Sequence, residues 1–124
     1  MARVLLVDDS SYQRIKMRKY LEAAGYEVIE GVDGEQALEL AVKSIGDCMV
    51  LDLLMPKVGG MEVLRGLQEK QVALPIIIHT ADIQEQTRQE CLSLGAAAFL
   101  NKPSREEDVL AVIVRVIQSH NREA

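Results

Sequence analysis

Long apolar runs are missing from this chain, although 48% of its residues are hydrophobic. That much apolar material excludes a disordered chain, and the lack of a run near twenty residues excludes a membrane-spanning helix. Met1-Ala2-Arg3 leads into only Val4-Leu5-Leu6-Val7 and then into acids, a stretch short for a signal peptide that is expected to be a strand. A cytoplasmic protein with no membrane partner is the expectation. Basic charge is in deficit, with 14 Lys and Arg against 19 Asp and Glu, a formal charge of −5 and a pI near 5.0. That balance argues against a nucleic-acid partner. Cysteine is scarce: Cys48 and Cys91 have no metal-site spacing and read as buried free thiols. Phenylalanine occurs once, at Phe99, and the five methionines are scattered as core filler. Repeats, linkers and low-complexity stretches are absent, so the 124 residues are expected to form one domain over 1–124.

What is present alternates. Cys48-Met49-Val50-Leu51 is apolar at every position, as in a parallel strand covered on both faces. Further strands are expected at Arg3–Val7, Tyr26–Glu30, Ile76–His79 and Ala97–Leu100. Helices are expected from Ser11 to Ala24, closing at Gly25; from the Asp33-Gly34 turn onward; from near Gly60; from about Ile83 to Leu94; and from Ser104. Ser104 with Glu107 three residues on suggests a capping box. The first helix carries the stripe Met17, Tyr20, Leu21 and Ala24, and the second Ala37, Leu38, Ala41, Val42 and Ile45. The fourth has the weakest stripe. Five β-α units imply a parallel sheet with right-handed crossovers and helices on both faces. The pattern alone leaves flavodoxin-like and short Rossmann-like strand orders open.

In such a sheet the carboxyl ends of the strands hold the chemistry. Strand one ends in Asp8-Asp9, strand three in Asp52, strand four in Thr80 and strand five in Asn101-Lys102-Pro103. Strand two ends in Glu30-Gly31, which adds nothing to this set. Three carboxylates at one edge repel one another and call for a cation, and oxygen ligands suit Mg2+. A cation, the Lys102 ammonium and the Thr80 hydroxyl around a carboxylate suit a phosphoryl group carried on that carboxylate. Singly, each of these residues is as readily a loop acid, a cap or a surface charge. Together they would require independent accidents at four strand ends.

Asp8-Asp9, Asp52 with Met55-Pro56, Thr80-Ala81 and Lys102-Pro103 together resemble the receiver domain of two-component response regulators, along the whole chain. The resemblance implies a (βα)5 flavodoxin-like fold with strand order 2-1-3-4-5. It implies Asp52 as phosphoacceptor and Mg2+ ligated by Asp9, Asp52 and the Leu54 carbonyl, with Asp8 acting through water. It further implies Thr80 bonding the phosphoryl oxygens, Lys102 pairing with them, a cis Lys102-Pro103 peptide and Phe99 as the aromatic switch. The donor would be a sensor histidine kinase or a histidine phosphotransfer protein, and output would pass to a separate protein target. Such a domain catalyses its own phosphorylation and is not a turnover enzyme. Since only His120-Asn121-Arg122-Glu123-Ala124 are expected beyond helix five, a stand-alone, chemotaxis-receiver-like protein is the expectation.

Some positions depart from the family. Gly59 replaces the acid that often caps helix three, Ala97-Ala98 replace an acidic pair, and Lys57-Val58 is a less usual loop. None touches the phosphorylation chemistry. The haloacid-dehalogenase type of aspartyl-phosphate phosphatase needs an acid where Leu54 stands, and a flavin phosphate would be repelled by Asp8-Asp9. Walker and dinucleotide glycine loops are absent. The remaining rival is a degenerate, non-phosphorylated receiver used as a constitutive binding module.

Overall fold

Five strands and five helices alternate in a computed structural model that describes residues 2–43 and 45–123. The strands are β1 (Arg3–Val7), β2 (Glu27–Gly31), β3 (Cys48–Leu51), β4 (Ile76–Thr80) and β5 (Ala98–Asn101). The helices are α1 (Ser11–Ala23), α2 (Gly34–Val42), α3 (Gly60–Glu69), α4 (Glu85–Ser93) and α5 (Glu106–Glu123). All strand pairs are parallel, in the order β2-β1-β3-β4-β5 expected from the family resemblance. No helix among the described residues is long and apolar enough to cross a membrane.

Period-two alternation sends each strand's apolar residues to two cores. Leu5, Val7, Met49, Leu51, Ile76 and Ile78 face α2, α3 and α4, where Ala37, Val63, Leu67 and Cys91 meet them. Val4, Leu6, Val50 and Ile77 face α1 and α5, meeting Met17, Leu21, Val109 and Ile113. Both cysteines are buried and free. Only Cys91 is buried on α4, in line with its weak stripe.

Several boundaries differ from expectation for local reasons. The amide of Tyr26 is taken by the Leu21 carbonyl in the closing turn of α1, so β2 starts one residue later. Gly25 supplies the positive φ of +93° which that turn needs. Ala24 and Val42, expected on the core stripes, are exposed because each lies at its helix's end, past the last turn that meets the sheet. The capping box at Ser104 does not form. Its hydroxyl donates to the Asn101 carbonyl at 2.7 Å and meets His79 Nε2 at 2.9 Å, and α5 begins at Glu106. The tail expected beyond the last helix is helical through Glu123, and Ala124 lies outside the described residues.

Candidate functional site

The register assembles the site. Val7 pairs with Leu51, so the next residue on each strand, Asp8 and Asp52, emerge side by side. This is also the point where the strand order reverses, between β1 and β3, where open α/β sheets leave a crevice. Asp8, Asp9 and Asp52 each offer a carboxylate oxygen within 4.8 Å of the others. Asp8 and Asp52 are buried and Asp9 is exposed.

Lys102 reaches this cluster from the end of β5. Its amide donates to the Thr80 carbonyl at 2.7 Å, which anchors the loop, and the Lys102-Pro103 peptide is cis as expected. Its Nζ donates to Asp8 Oδ2 at 2.8 Å and lies 3.4 Å from Asp52 Oδ2. One ammonium is thus shared between two buried acids, with Asp8 holding the larger share. Burial raises the Asp52 pKa; Lys102 pulls it down and Asp8 pushes it up, leaving it above the ordinary carboxylate value. For Lys102 burial acts downward, but the hydrogen bond to Asp8 and the charges of both acids win, so its pKa is raised. The asymmetry is physical: the lysine is well partnered and Asp52 is not.

Thr80 is fully buried, and its Oγ1 accepts from the Asp82 amide at 3.2 Å. In the β4–β5 register Thr80 faces Asn101 and Ile78 faces Phe99, so Thr80 and Phe99 share one face of the sheet two positions apart. Phe99 is half-buried against the core beneath α3 and α4. Leu54 lies in the β3–α3 loop with its side chain 72% exposed, and its amide makes only a long 3.5 Å contact with Asp52 Oδ1. That loop leans on α2. Lys57 pairs with Asp33 at 3.6 Å and Glu35 at 3.7 Å, and the Val58 backbone lies where a Cβ on Gly34 would be. Gly59 caps α3 without a side-chain bond, the weaker cap that its lack of a side chain implies.

Three further residues border the crevice or its loops. Asp82, two after Thr80, stands where an acid could orient water over the crevice, yet its carboxylate is occupied. Oδ1 accepts from the Gln84 amide at 2.9 Å and Oδ2 from the Thr87 hydroxyl at 2.9 Å. His79 is buried, and its Nε2 is satisfied by the Ser104 hydroxyl; burial and the Lys102 charge lower its pKa to about 4. Glu30, dismissed from sequence, pairs with Arg14 at 3.0 Å, and Arg14 donates to the Asp8 carbonyl. The pairing of β2 with β1 brings Glu30 next to the acidic loop, a neighbourhood that only the strand order reveals. A hollow of about 310 Å³ at the opposite end of the sheet, lined by Asp47, Leu74, Pro75 and His120, holds none of these converging groups.

Known proteins resemble this chain in sequence and in fold. A Bacillus subtilis protein, CcdB, is 38% identical over 118 residues, covering 94% of this chain and 98% of that protein. The solved Vibrio cholerae chemotaxis protein CheY4 superposes with a TM-score of 0.85 at 35% identity, covering 94% of this chain and 98% of that one. The receiver domain of a Pseudomonas aeruginosa sensor histidine kinase superposes with a TM-score of 0.86 at 27% identity, covering 94% and 98%; its structure has a magnesium ion in the active-site cleft. The chain spans about half the length of other curated relatives, 48% and 49% for two regulators. The family profile of the response regulator receiver domain matches residues 4–114. With that match, the parallel 2-1-3-4-5 sheet and the acids at its switch point, the chain belongs to the response regulator receiver domain family, the phosphorylation-activated signalling module of two-component systems.

Proposed function

We propose that Asp52 accepts the phosphoryl group, in a Mg2+-dependent reaction for which Asp9, Asp52 and the Leu54 carbonyl hold the ion and Asp8 acts through water. The carrying observation is the set of three carboxylates within 4.8 Å with one shared ammonium between the two buried ones. The donor set fits the ion: every candidate ligand is an oxygen, and one lysine cannot neutralise three acids. When bound, Mg2+ supplies positive charge that offsets the repulsion between the carboxylate and an incoming phosphoryl group.

The chain's own residues do the rest. An Asp52 oxygen attacks the phosphorus of a phosphohistidine; the O–P bond forms as the P–N bond breaks, and the imidazole nitrogen leaves with the electron pair. Asp52 retains 11% side-chain exposure, enough to be approached from the crevice. Lys102 turns from the acids to the phosphoryl oxygens and holds the charge that develops there. Thr80 follows, giving up its contact with the Asp82 amide, and Phe99 turns into the space behind it. The face of α4, β5 and α5 thereby shifts between two packings. The domain acts on itself and not as a turnover enzyme.

The donor in this reading is a sensor histidine kinase or a phosphotransfer protein in the cytoplasm, and the output is binding to a protein target. Tyr12 and Ile15, 69% and 57% exposed at the start of α1, are the apolar groups beside the crevice that would dock the donor. Val114, exposed on α5, belongs to the output or dimer face; Val112 is half-buried against the core and contributes less. The complete acid and lysine set disfavours the degenerate-receiver reading. The test is capture of targets with and without beryllofluoride and Mg2+. Partners retained only with both support a switch, and partners retained equally without them support the constitutive module.

A further inference from the structure

Arg14 lies within the first turns of α1 and keeps only 15% of its side chain exposed. Its Nη1 donates to the Asp8 carbonyl at 2.6 Å, and its Nε donates to Glu30 Oε1 at 3.0 Å. The Asp8 carbonyl belongs to the peptide that joins the two acids of the loop. Asp9 is exposed, so the orientation of that peptide decides where its carboxylate starts. The rest of the loop is fixed from other sides: the Asp8 amide donates to the Gly31 carbonyl, and the Ser10 amide donates to Asp8 Oδ1 at 2.9 Å. Between those two anchors Arg14 holds the Asp8 carbonyl.

The choice of residue types is informative. A guanidinium is a rigid fork that can serve a carbonyl and a carboxylate at once, which an ammonium cannot. An unpaired arginine at this place would be a fixed cation competing with a metal ion for the acids. Glu30 cancels that charge, and its second oxygen is taken by Arg18. Arg18 is in turn paired with Glu22 at 3.2 Å and does not contact the loop. The result is a neutral brace running from β2 through α1 to the acidic loop.

We infer that Arg14, held by Glu30, is a positioning residue that presets the Asp8-Asp9 peptide for Mg2+. This rests on the metal reading given above. Groups that orient metal ligands from outside the coordination sphere characteristically change affinity by about 10–100-fold when removed.

The experiment is Mg2+ titration of the unphosphorylated full chain by calorimetry, with the metal-free melting temperature recorded for each variant. Arg14→Ala is expected to weaken Mg2+ binding about tenfold or more. Arg14→Lys keeps the charge but not the fork and is expected to remain several-fold weak. Arg18→Ala removes an arginine from the same glutamate without touching the loop, and is expected to bind within about twofold of the parent, since it leaves the ligand-orienting contact in place. Should Arg14→Ala fold poorly, Arg14→Lys and Glu30→Gln carry the test. If the parent binds and Arg14→Ala binds equally well, or if Arg18→Ala falls as far, the inference is overturned and the metal reading stands. A parent that takes up no Mg2+ overturns the metal reading and this inference with it.

Discussion

Asp52→Asn in the metal-free protein should be more stable than the parent at neutral pH. The carboxylate is buried, with Lys102 at 3.4 Å and oxygens of Asp8 and Asp9 within 4.8 Å. At an effective dielectric near 20, the lysine attracts it by about 5 kcal/mol and Asp8 repels it by at least about 3.5 kcal/mol. Asp9 is exposed and adds a smaller repulsion. These contributions nearly cancel, so the cost of taking the carboxylate out of water is left uncompensated. Asparagine keeps the shape and removes that cost. A gain of about 1–2 kcal/mol is expected, which for a chain of this length is about 4–8 °C in melting temperature. The pH dependence carries a sign. The raised pKa of Asp52 means that the folded state binds this proton more tightly than the unfolded chain does. The parent therefore recovers stability as pH falls through the folded pKa, with recovery complete below the ordinary carboxylate value. The gap between variant and parent should be widest near pH 7 and close with acid. Using the difference between the two proteins removes titrations common to both. Excess Mg2+ should reverse the order, since an ion at about 100 times its Kd adds about 2.7 kcal/mol to a protein that binds it. Calorimetric or circular-dichroism melting from pH 7 to pH 4 is the assay. An Asp52→Asn variant that melts no higher than the parent at pH 7, or a gap that grows with acid, refutes the reasoning.

Three further outcomes are expected. His79 has a lowered pKa of about 4, so the unfolded chain takes up its proton first as pH falls from about 6.5; the stability of the neutral ring is complete above that value and is lost towards pH 4, by roughly 3 kcal/mol. His79→Gln should show a smaller fall in melting temperature between pH 7 and pH 4.5, and an equal fall in both proteins would contradict the assignment. Leu54 is exposed beside Asp52 and cannot orient water, while the Asp82 carboxylate is held by Gln84 and Thr87. Leu54→Asn should therefore shorten the life of the phosphoryl group about tenfold, since an ordered water is worth about 1–2 kcal/mol; decay of the loaded proteins after donor removal measures it, and an unchanged rate rejects Leu54 as the shield. Ile15→Ser should slow transfer from the kinase while leaving uptake from acetyl phosphate unchanged, and equal slowing of both would reject docking through α1.

How much was legible depended on whether a residue's role is local. The strand at Cys48–Leu51 was readable because four consecutive apolar residues before an acid fit a doubly covered strand and little else. The candidate groups Asp8, Asp9, Asp52 and Lys102 were readable because each ends a strand, and the register then brings them together. Strand order came from family resemblance, since apolar alternation is the same in either winding. Long-range side-chain choices were not legible. Nothing in the sequence says that residue 14 meets residue 30, or that Ser104 will serve Asn101 and His79 in place of its own helix. The same holds for Asp82, whose short side chain bonds to its own downstream turn, a choice that only the loop conformation fixes.

The most direct measurement is intact-mass spectrometry of the chain after incubation with acetyl phosphate. The account predicts the added mass of one phosphoryl group in the presence of Mg2+, none with a chelator, and none in Asp52→Asn under either condition. Uptake by Asp52→Asn equal to that of the parent, or uptake by the parent that is indifferent to Mg2+ removal, would contradict it.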